Sequence, residues 1–292
     1  MKLYAPSYYK DFKCIADKCT HSCCIGWEID IDADTFQTYQ TLAHPYADTV
    51  RKSIELDETP HFRLCAQERC PHLQDDGLCK LILQLGQDYL CEICREHPRF
   101  YHETARGMEV GIGMSCEEAC RIILNSDYTT FSCIEELSDE PTAVPFDTHP
   151  LRERAYRILS SALPYSDRLS ALSAEFDITL APDEKVRETL GSLEYLDPTH
   201  QTLFSCYTSN ASVPPVLEKQ AERALAYLIF RHCSPSWDEI EFQNALRFCL
   251  TCERLLASMA QKTNATELHD LARILSEEIE YSEENTQTLM QL

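Results

Sequence analysis

Glycine is scarce in this chain, with seven residues in 292. A Rossmann-type fold needs a Gly-rich turn after a strand so that backbone can close on its ligand, and only VGIGMS, with Gly111 and Gly113, offers one. The scarcity argues against that fold. Basic residues are also few, 26 Lys and Arg against 48 Asp and Glu, for a formal charge of −22. A phosphate-backbone partner calls for a basic stripe that displaces counterions, and the chain has none, so no nucleic acid is expected. A cationic partner suits this field better, beyond the general effect of acidity on solubility. Long apolar runs are missing too. ALAYLIF at 224–230 is the best of them and falls well short of the roughly 18 residues of a membrane span. The start, MKLYAPSYYKDFK, has neither an apolar h-region nor a small-residue cleavage site, so a soluble protein of the cytoplasm is expected.

What the chain has in excess is cysteine, sixteen residues in all. A chain of this length with 44% hydrophobic residues does not need disulfides to compensate for a small core, and in the cytoplasm thiols stay reduced or bind metal. Twelve of the sixteen precede residue 140, and only Cys206, Cys233, Cys249 and Cys252 follow. The first cluster, FKCIADKCTHSCCIGW, holds Cys14, Cys19, Cys23 and Cys24. The second, CPHLQDDGLCKLILQLGQDYLCEICREHPRF, holds Cys70, Cys79, Cys91 and Cys94, and the third, SCEEAC, holds Cys116 and Cys120. Soft thiolates select zinc, copper(I) or iron–sulfur iron, and Lys13, Lys18, Arg69, Lys80 and Arg95 flank these thiols as cations that would lower their pKa.

An isolated reduced cysteine is ordinarily a small buried hydrophobe, and Cys65, Cys120 and Cys133 are assigned that role. Cys249 and Cys252 have ligand-like spacing but sit in an apolar stripe, so they are assigned to the core as well. Clustering points Cys14, Cys19, Cys23, Cys24, Cys70, Cys79, Cys94 and Cys116 to metal binding. Adjacent side chains diverge, so Cys23 and Cys24 do not both face one small ion comfortably. Structural zinc favours two tight Cys-x2-4-Cys knuckles, and only Cys91 and Cys94 have the tight form. CTHSCC carries the Cys-x3-Cys start of a radical-SAM loop, but Gly26 stands at its third cysteine position.

The proline-bearing segment SDEPTAVPFDTHP, residues 138–150, reads as a linker between a Cys-rich domain over 1–140 and a helical domain over 150–292. Upstream, GWEIDID reads as a short strand and DADTFQTYQTL as a helix capped by Asp32 or Asp34. KLILQLG ends at Gly86, and YLCEICREH stops before Pro98. Downstream, helices are expected near 150–163, 184–196, 216–232, 238–262 and 265–281. Ser236 with Glu239 has capping-box spacing, and Asn264 with Glu267 resembles it. Ile240, Leu246, Cys249, Leu250, Leu256 and Met259 mark one buried stripe. The expected fold is mainly α: a Cys-rich N-terminal metal-binding domain with short irregular β elements, then a helical C-terminal domain.

The segments FKCIADKCTHSCCIGWEIDID, CPHLQDDGLCKLILQLGQDYLCEIC with the following HPR, and SCEEACRIIL resemble the flagellin lysine-N-methylase family (FliB), and the broader proteins with an eight-cysteine zinc- or iron-chelating domain. The resemblance spans about residues 1–125. It implies transfer of methyl from S-adenosylmethionine (SAM) to surface lysines of flagellin, with a [4Fe-4S] cluster, or alternatively zinc. By position the family cysteines fall on Cys14, Cys19, Cys23, Cys24, Cys70, Cys79, Cys94 and Cys116, while Cys91 and Cys120 stand outside the pattern and Glu117 replaces a proline. Asp30, Asp32, Glu117 and Glu118 lie beside the motifs as candidate proton acceptors, Trp27 as a shield or stacking ring, His72, His97 and His102 as alternative ligands, and Arg95 and Arg99 as carboxylate contacts. Two other classes of function fit the same thiols: a non-enzymatic iron or zinc carrier or redox module, and a zinc-stabilised scaffold whose helical half binds a partner.

Overall fold

A computed structural model describes residues 1–137, 144 and 146–292. Residues 138–143 and 145 of the expected linker lie outside the described residues. The chain packs as two compact units, Lys13–Arg99, and Met1–Phe12 together with Phe100–Leu292. Residues 100–137, expected with the N-terminal Cys-rich domain, pack instead with the helical half. No helix among the described residues is long and apolar enough to cross a membrane.

Strand β1 (Lys2–Pro6) belongs to the larger unit, and the smaller unit follows it in the chain. The smaller unit is built of short pieces: β2 (Ile29–Asp30), α1 (Ala33–Thr41), α2 (Ala47–Lys52), β3 (Ile54–Leu56), β4 (Pro60–Phe62), α3 (Lys80–Leu85) and α4 (Glu92–Glu96). Its antiparallel sheet runs β2-β4-β3, with Ile29 and Ile54 flanking Phe62. The strand expected in GWEIDID is two residues long, because the segment pairs with β4 only at Ile29 and Asp30. Asp32 caps α1 by accepting from the Thr35 N–H at 2.9 Å, and Gly86, at φ 99°, ends α3 as expected of a residue without a Cβ.

The larger unit adds β5 (Arg99–Thr104), β6 (Gly107–Ile112), α5 (Glu117–Asn125) and β7 (Phe131–Glu136). Its sheet has the order β5-β6-β1-β7, with β1 parallel to β6 and antiparallel to β7. Then come α6 (His149–Leu159), α7 (Tyr165–Glu175), α8 (Asp183–Ser192), α9 (Pro198–Phe204), α10 (Glu218–Leu228), α11 (Glu239–Thr263), α12 (His269–Leu275) and α13 (Glu283–Met290). Helix α10 runs on into a π-helical turn at Ile229–Cys233, and α12 into another at Ser276–Glu280.

Helix α11 is the axis of this unit, and it corrects three expectations. From Ala245 to Ala260 it is buried on nearly every side rather than along one stripe, and Ile240, placed on that stripe, is 67% exposed. Its cap is Asp238, which accepts from the Glu241 N–H at 2.8 Å while Glu241 accepts from the Trp237 N–H, so the box lies two residues beyond Ser236. Asn264 does not start a helix: at φ 52° it is the left-handed residue that ends α11. Cys249 and Cys252 are core residues of this helix, as expected.

Charge is buried in this unit only where it is bonded. Arg152 meets Glu109 at 2.6 Å, Arg168 meets Glu222 at 2.6 Å, and the two π-helical turns join through His232 and Glu280 at 2.8 Å. Glu253 is held more loosely: it takes one hydrogen bond from the Tyr165 hydroxyl at 3.1 Å, and its second oxygen accepts none and lies 3.6 Å from the Arg254 guanidinium. Burial raises this carboxyl from its ordinary 4.5 to about 7. An acid with a raised folded pKa contributes stability that is present below its unfolded value and lost as pH rises through the folded one. Glu253→Gln mimics the protonated acid, so at pH 8 it is expected to stabilise the protein by roughly 1–3 kcal/mol, and at pH 5 by almost nothing. Thermal denaturation of both proteins at the two pH values checks this, and equal shifts at both would refute it.

Candidate metal centre

In the smaller unit, backbone pairing gathers thiols that are distant in sequence. The Cys70 N–H donates to the Cys24 carbonyl at 2.9 Å, beside a single bridge between Ile25 and Arg69, which places the first and second clusters side by side. CPHLQDDGLC closes on itself through a bridge between Leu73 and Cys79, with Gly77 at φ 80° in the turn and Asp76 accepting from the Leu78 N–H. Cys79 is the residue before α3, and Cys91 the residue before α4. The Asp32 carboxylate spans α1 and α4, accepting from Thr35 N–H with one oxygen and from Glu92 N–H at 2.8 Å with the other.

These constraints bring Cys24, Cys70, Cys79, Cys91 and Cys94 into one apolar core with Ile29, Ile31, Tyr39, Phe62 and Leu81. Cys91 is fully buried, and its Sγ lies 3.4 Å from that of Cys94, with which it shares a hydrogen bond. That bond lowers the Cys91 thiol and, together with burial, pushes Cys94 far up. Burial pushes Cys70 up to about 12 and raises Cys79, and both feel the charge of Cys24. A hydrogen bond from Cys23 lowers Cys24 to about 7. Hydrogen bonds, burial and neighbouring thiols set these values, rather than the flanking cations expected to do so.

Five soft donors in a water-poor core suit a soft cation, whose charge would compensate thiolates that burial alone disfavours. Among the described residues, no three His, Cys, Asp or Glu side chains stand in a finished coordination arrangement. The donor set fits a thiolate-bound metal by its chemistry.

Of the eight expected ligands, Cys24, Cys70, Cys79 and Cys94 are in this core. Cys14 and Cys23 are exposed and Cys19 is half-buried. Cys116 belongs to the larger unit, where it precedes α5. Cys91 was set outside the family pattern, although its Cys-x2-Cys spacing to Cys94 signalled it. Cys65 and Cys133, assigned to buried packing, are exposed, whereas Cys120 is buried as assigned.

The other candidates resolve in ordinary structural terms. His72 is held at both ring nitrogens, by the Tyr46 hydroxyl at 2.8 Å and the Ser53 hydroxyl at 3.0 Å, and burial pulls it down to about 4. Burial also pulls His97 down to about 4, and His102 in the larger unit to about 3. Trp27 donates its indole N–H to the Cys23 carbonyl at 2.8 Å and packs on the thiol core. Glu118 pairs with Arg121 at 2.6 Å, Arg95 with Glu96, and Arg99 donates to the Arg95 carbonyl. Gly111 and Gly113 make room for packed rings, since a Cβ on Gly111 would stand 2.6 Å from Phe230 and one on Gly113 would strike Tyr281.

The chain is similar to two proteins named lysine-N-methylase, from Salmonella choleraesuis and Salmonella typhimurium. Each is 26% identical over 164 residues, 53% of this chain and 39% of the relative. It is also similar to a flagellar biosynthetic protein FliU of Salmonella muenchen, 27% identical over 129 residues, 41% of this chain and 75% of that one. The match thus takes in 39% of the length of the two methylases. The resemblance to FliB-like proteins seen in the cysteine motifs is borne out by these relatives. No family model matches the chain, and no solved structure does.

Asp32 holds the frame of the thiol core, so Asp32→Ala removes a helix cap and a bond to the start of α4, at a cost of about 2 kcal/mol. Amide hydrogen exchange over residues 33–41 and 92–96 is expected to accelerate about 30-fold where opening is local, with α11 unaffected. Unchanged exchange at Glu92 would show that the carboxylate does not tie the two helices.

Proposed function

We propose that this chain is a SAM-dependent protein-lysine N-methyltransferase that acts on flagellin in the cytoplasm and requires a thiolate-bound [4Fe-4S] cluster, or in its place zinc. The observation that carries this reading is the similarity to proteins named lysine-N-methylase in a chain whose cysteine motifs converge in one core. The FliU relative supports a flagellar substrate. The resemblance points to Cys14, Cys19, Cys23, Cys24, Cys70, Cys79, Cys94 and Cys116 as ligands, and of these Cys24, Cys70, Cys79 and Cys94 share the core. An iron–sulfur cluster held there would supply Lewis-acidic iron for the amino and carboxylate groups of the methyl donor.

The chain's own contribution to this chemistry is electrostatic. A lysine ammonium must lose a proton before its nitrogen attacks the methyl group, and an acidic protein both attracts the ammonium and offers carboxylates to take that proton. Asp32 and Glu118 are spent on a helix cap and an ion pair, whereas Asp30 is exposed on β2 in the thiol-bearing unit and is the carboxylate we assign to this task. The carrier reading draws on a different observation, that two of the four candidate acids already have structural work.

Intact-mass spectrometry of flagellin coexpressed with the protein separates these readings. Wild type is expected to add methyl-sized mass steps on lysines, Cys94→Ser to add none, and Cys206→Ser to match wild type. The initial rate at subsaturating flagellin should fall as salt rises, because screening weakens the attraction of a chain carrying −22. Unmodified flagellin beside metal-loaded wild-type protein would favour the carrier.

A further inference from the structure

We infer that Cys91 is a ligand of the thiolate centre, and that the centre draws its ligands from Cys24, Cys70, Cys79, Cys91 and Cys94 inside the Lys13–Arg99 unit, without Cys116. The inference rests on the reading that these thiols bind metal. Three observations carry it. Cys91 has no exposed surface, and its Sγ stands 3.4 Å from that of Cys94, near the roughly 3.8 Å between two thiolates on one tetrahedral metal. The pair has the Cys-x2-Cys spacing of a metal knuckle, with Cys91 ahead of α4 and Cys94 in its first turn.

The rest of the set is held by backbone bonds already described, Cys70 to Cys24 and Leu73 across to Cys79. Zinc or a cubane cluster takes at most four protein thiolates, and five share this core. Of the five, Cys70 and Cys91 are buried, and Cys91 is the more completely enclosed. Its burial in the same apolar pocket as Tyr39 and Leu81 leaves it no aqueous role.

The test compares full-length wild type, Cys91→Ser, Cys116→Ser and Cys133→Ser, all purified without oxygen. Iron and zinc per chain are measured by plasma mass spectrometry, and thiolate-to-metal charge transfer by visible absorption. Cys91→Ser is expected to lower bound metal at least ~10-fold after dialysis against a chelator, while Cys116→Ser and Cys133→Ser match wild type. Wild type without metal would overturn both the metal reading and this inference. Metal-loaded wild type with unchanged metal in Cys91→Ser would overturn this inference alone, as would loss of metal in Cys116→Ser.

Because Cys91 is fully buried, its serine variant is open to the objection of misfolding, and a second measurement uses wild type only. Diamide oxidises the two thiols to a disulfide: each thiol gives up a proton and an electron, and both pairs pass to the diazene, which becomes a hydrazine. Peptide mass spectrometry is expected to find the Cys91–Cys94 disulfide in chelator-stripped protein and at least ~10-fold less in metal-loaded protein. Equal oxidation in the two preparations would show that the pair is not engaged by metal.

Discussion

Five thiols crowd the core of a unit assembled from short elements. The Lys13–Arg99 unit has no helix longer than the nine residues of α1 and no strand longer than three, so few of its backbone bonds are cooperative. Its fully buried side chains are few, and two of the nine in its core are themselves cysteines. A soft metal held by thiolates would add to such a core the cohesion that its short elements supply only in part. Several elements of the unit carry or brace those thiols. The loop from Cys70 to Cys79 turns back on itself, α3 and α4 each begin beside a cysteine, and Asp32 joins α1 to α4.

The larger unit solves a different problem. It has a long helix buried on nearly all sides, and the price is a set of charged groups carried inward with the helices around it. Each such group is answered locally: Arg152 by Glu109, Arg168 by Glu222, and Glu280 by His232 and Arg231. Both π-helical turns carry members of the last set, which fits the tendency of such turns to re-aim side chains that a regular helix would point elsewhere. Glu253 has only the Tyr165 hydroxyl and a distant guanidinium, so it keeps its proton to a higher pH than its neighbours.

Local signals were legible where the physics is local. The cap of α1 at Asp32, the stop at Gly86 and the helix ending before Pro98 each depend on residues within one turn. Non-local pairing was not legible: β1 lies between β6 and β7, more than 100 residues away, and β6 is buried on both faces, so it shows no alternation to read. The linker expected from its prolines drew the division in the wrong place for residues 100–137, because composition records a change of texture and the packing of β5, β6 and α5 is decided by what they bury. In the same way Ser236 lost its cap to Asp238, where an acid stands one residue before the first helical turn and Glu241 closes the box. The thiol core was half legible, in that clustering pointed to Cys24, Cys70, Cys79 and Cys94, whereas Cys91 had only its spacing to Cys94 to mark it, and the backbone bridges bring distant thiols together.

The two units therefore draw their stability from different sources, and this has a consequence for how a metal would act. In the larger unit apolar burial and paired charges suffice, so its folding is independent of thiolate chemistry. In the smaller unit burial favours the protonated form of Cys70 and Cys79, and a metal bound there would first have to displace those protons. Part of the binding energy of such a metal would go into that deprotonation. Tyr39, whose hydroxyl donates to the Tyr89 carbonyl at 2.5 Å, ties α1 to the segment that leads into Cys91 and so holds the thiol-bearing start of α4 in place without any metal.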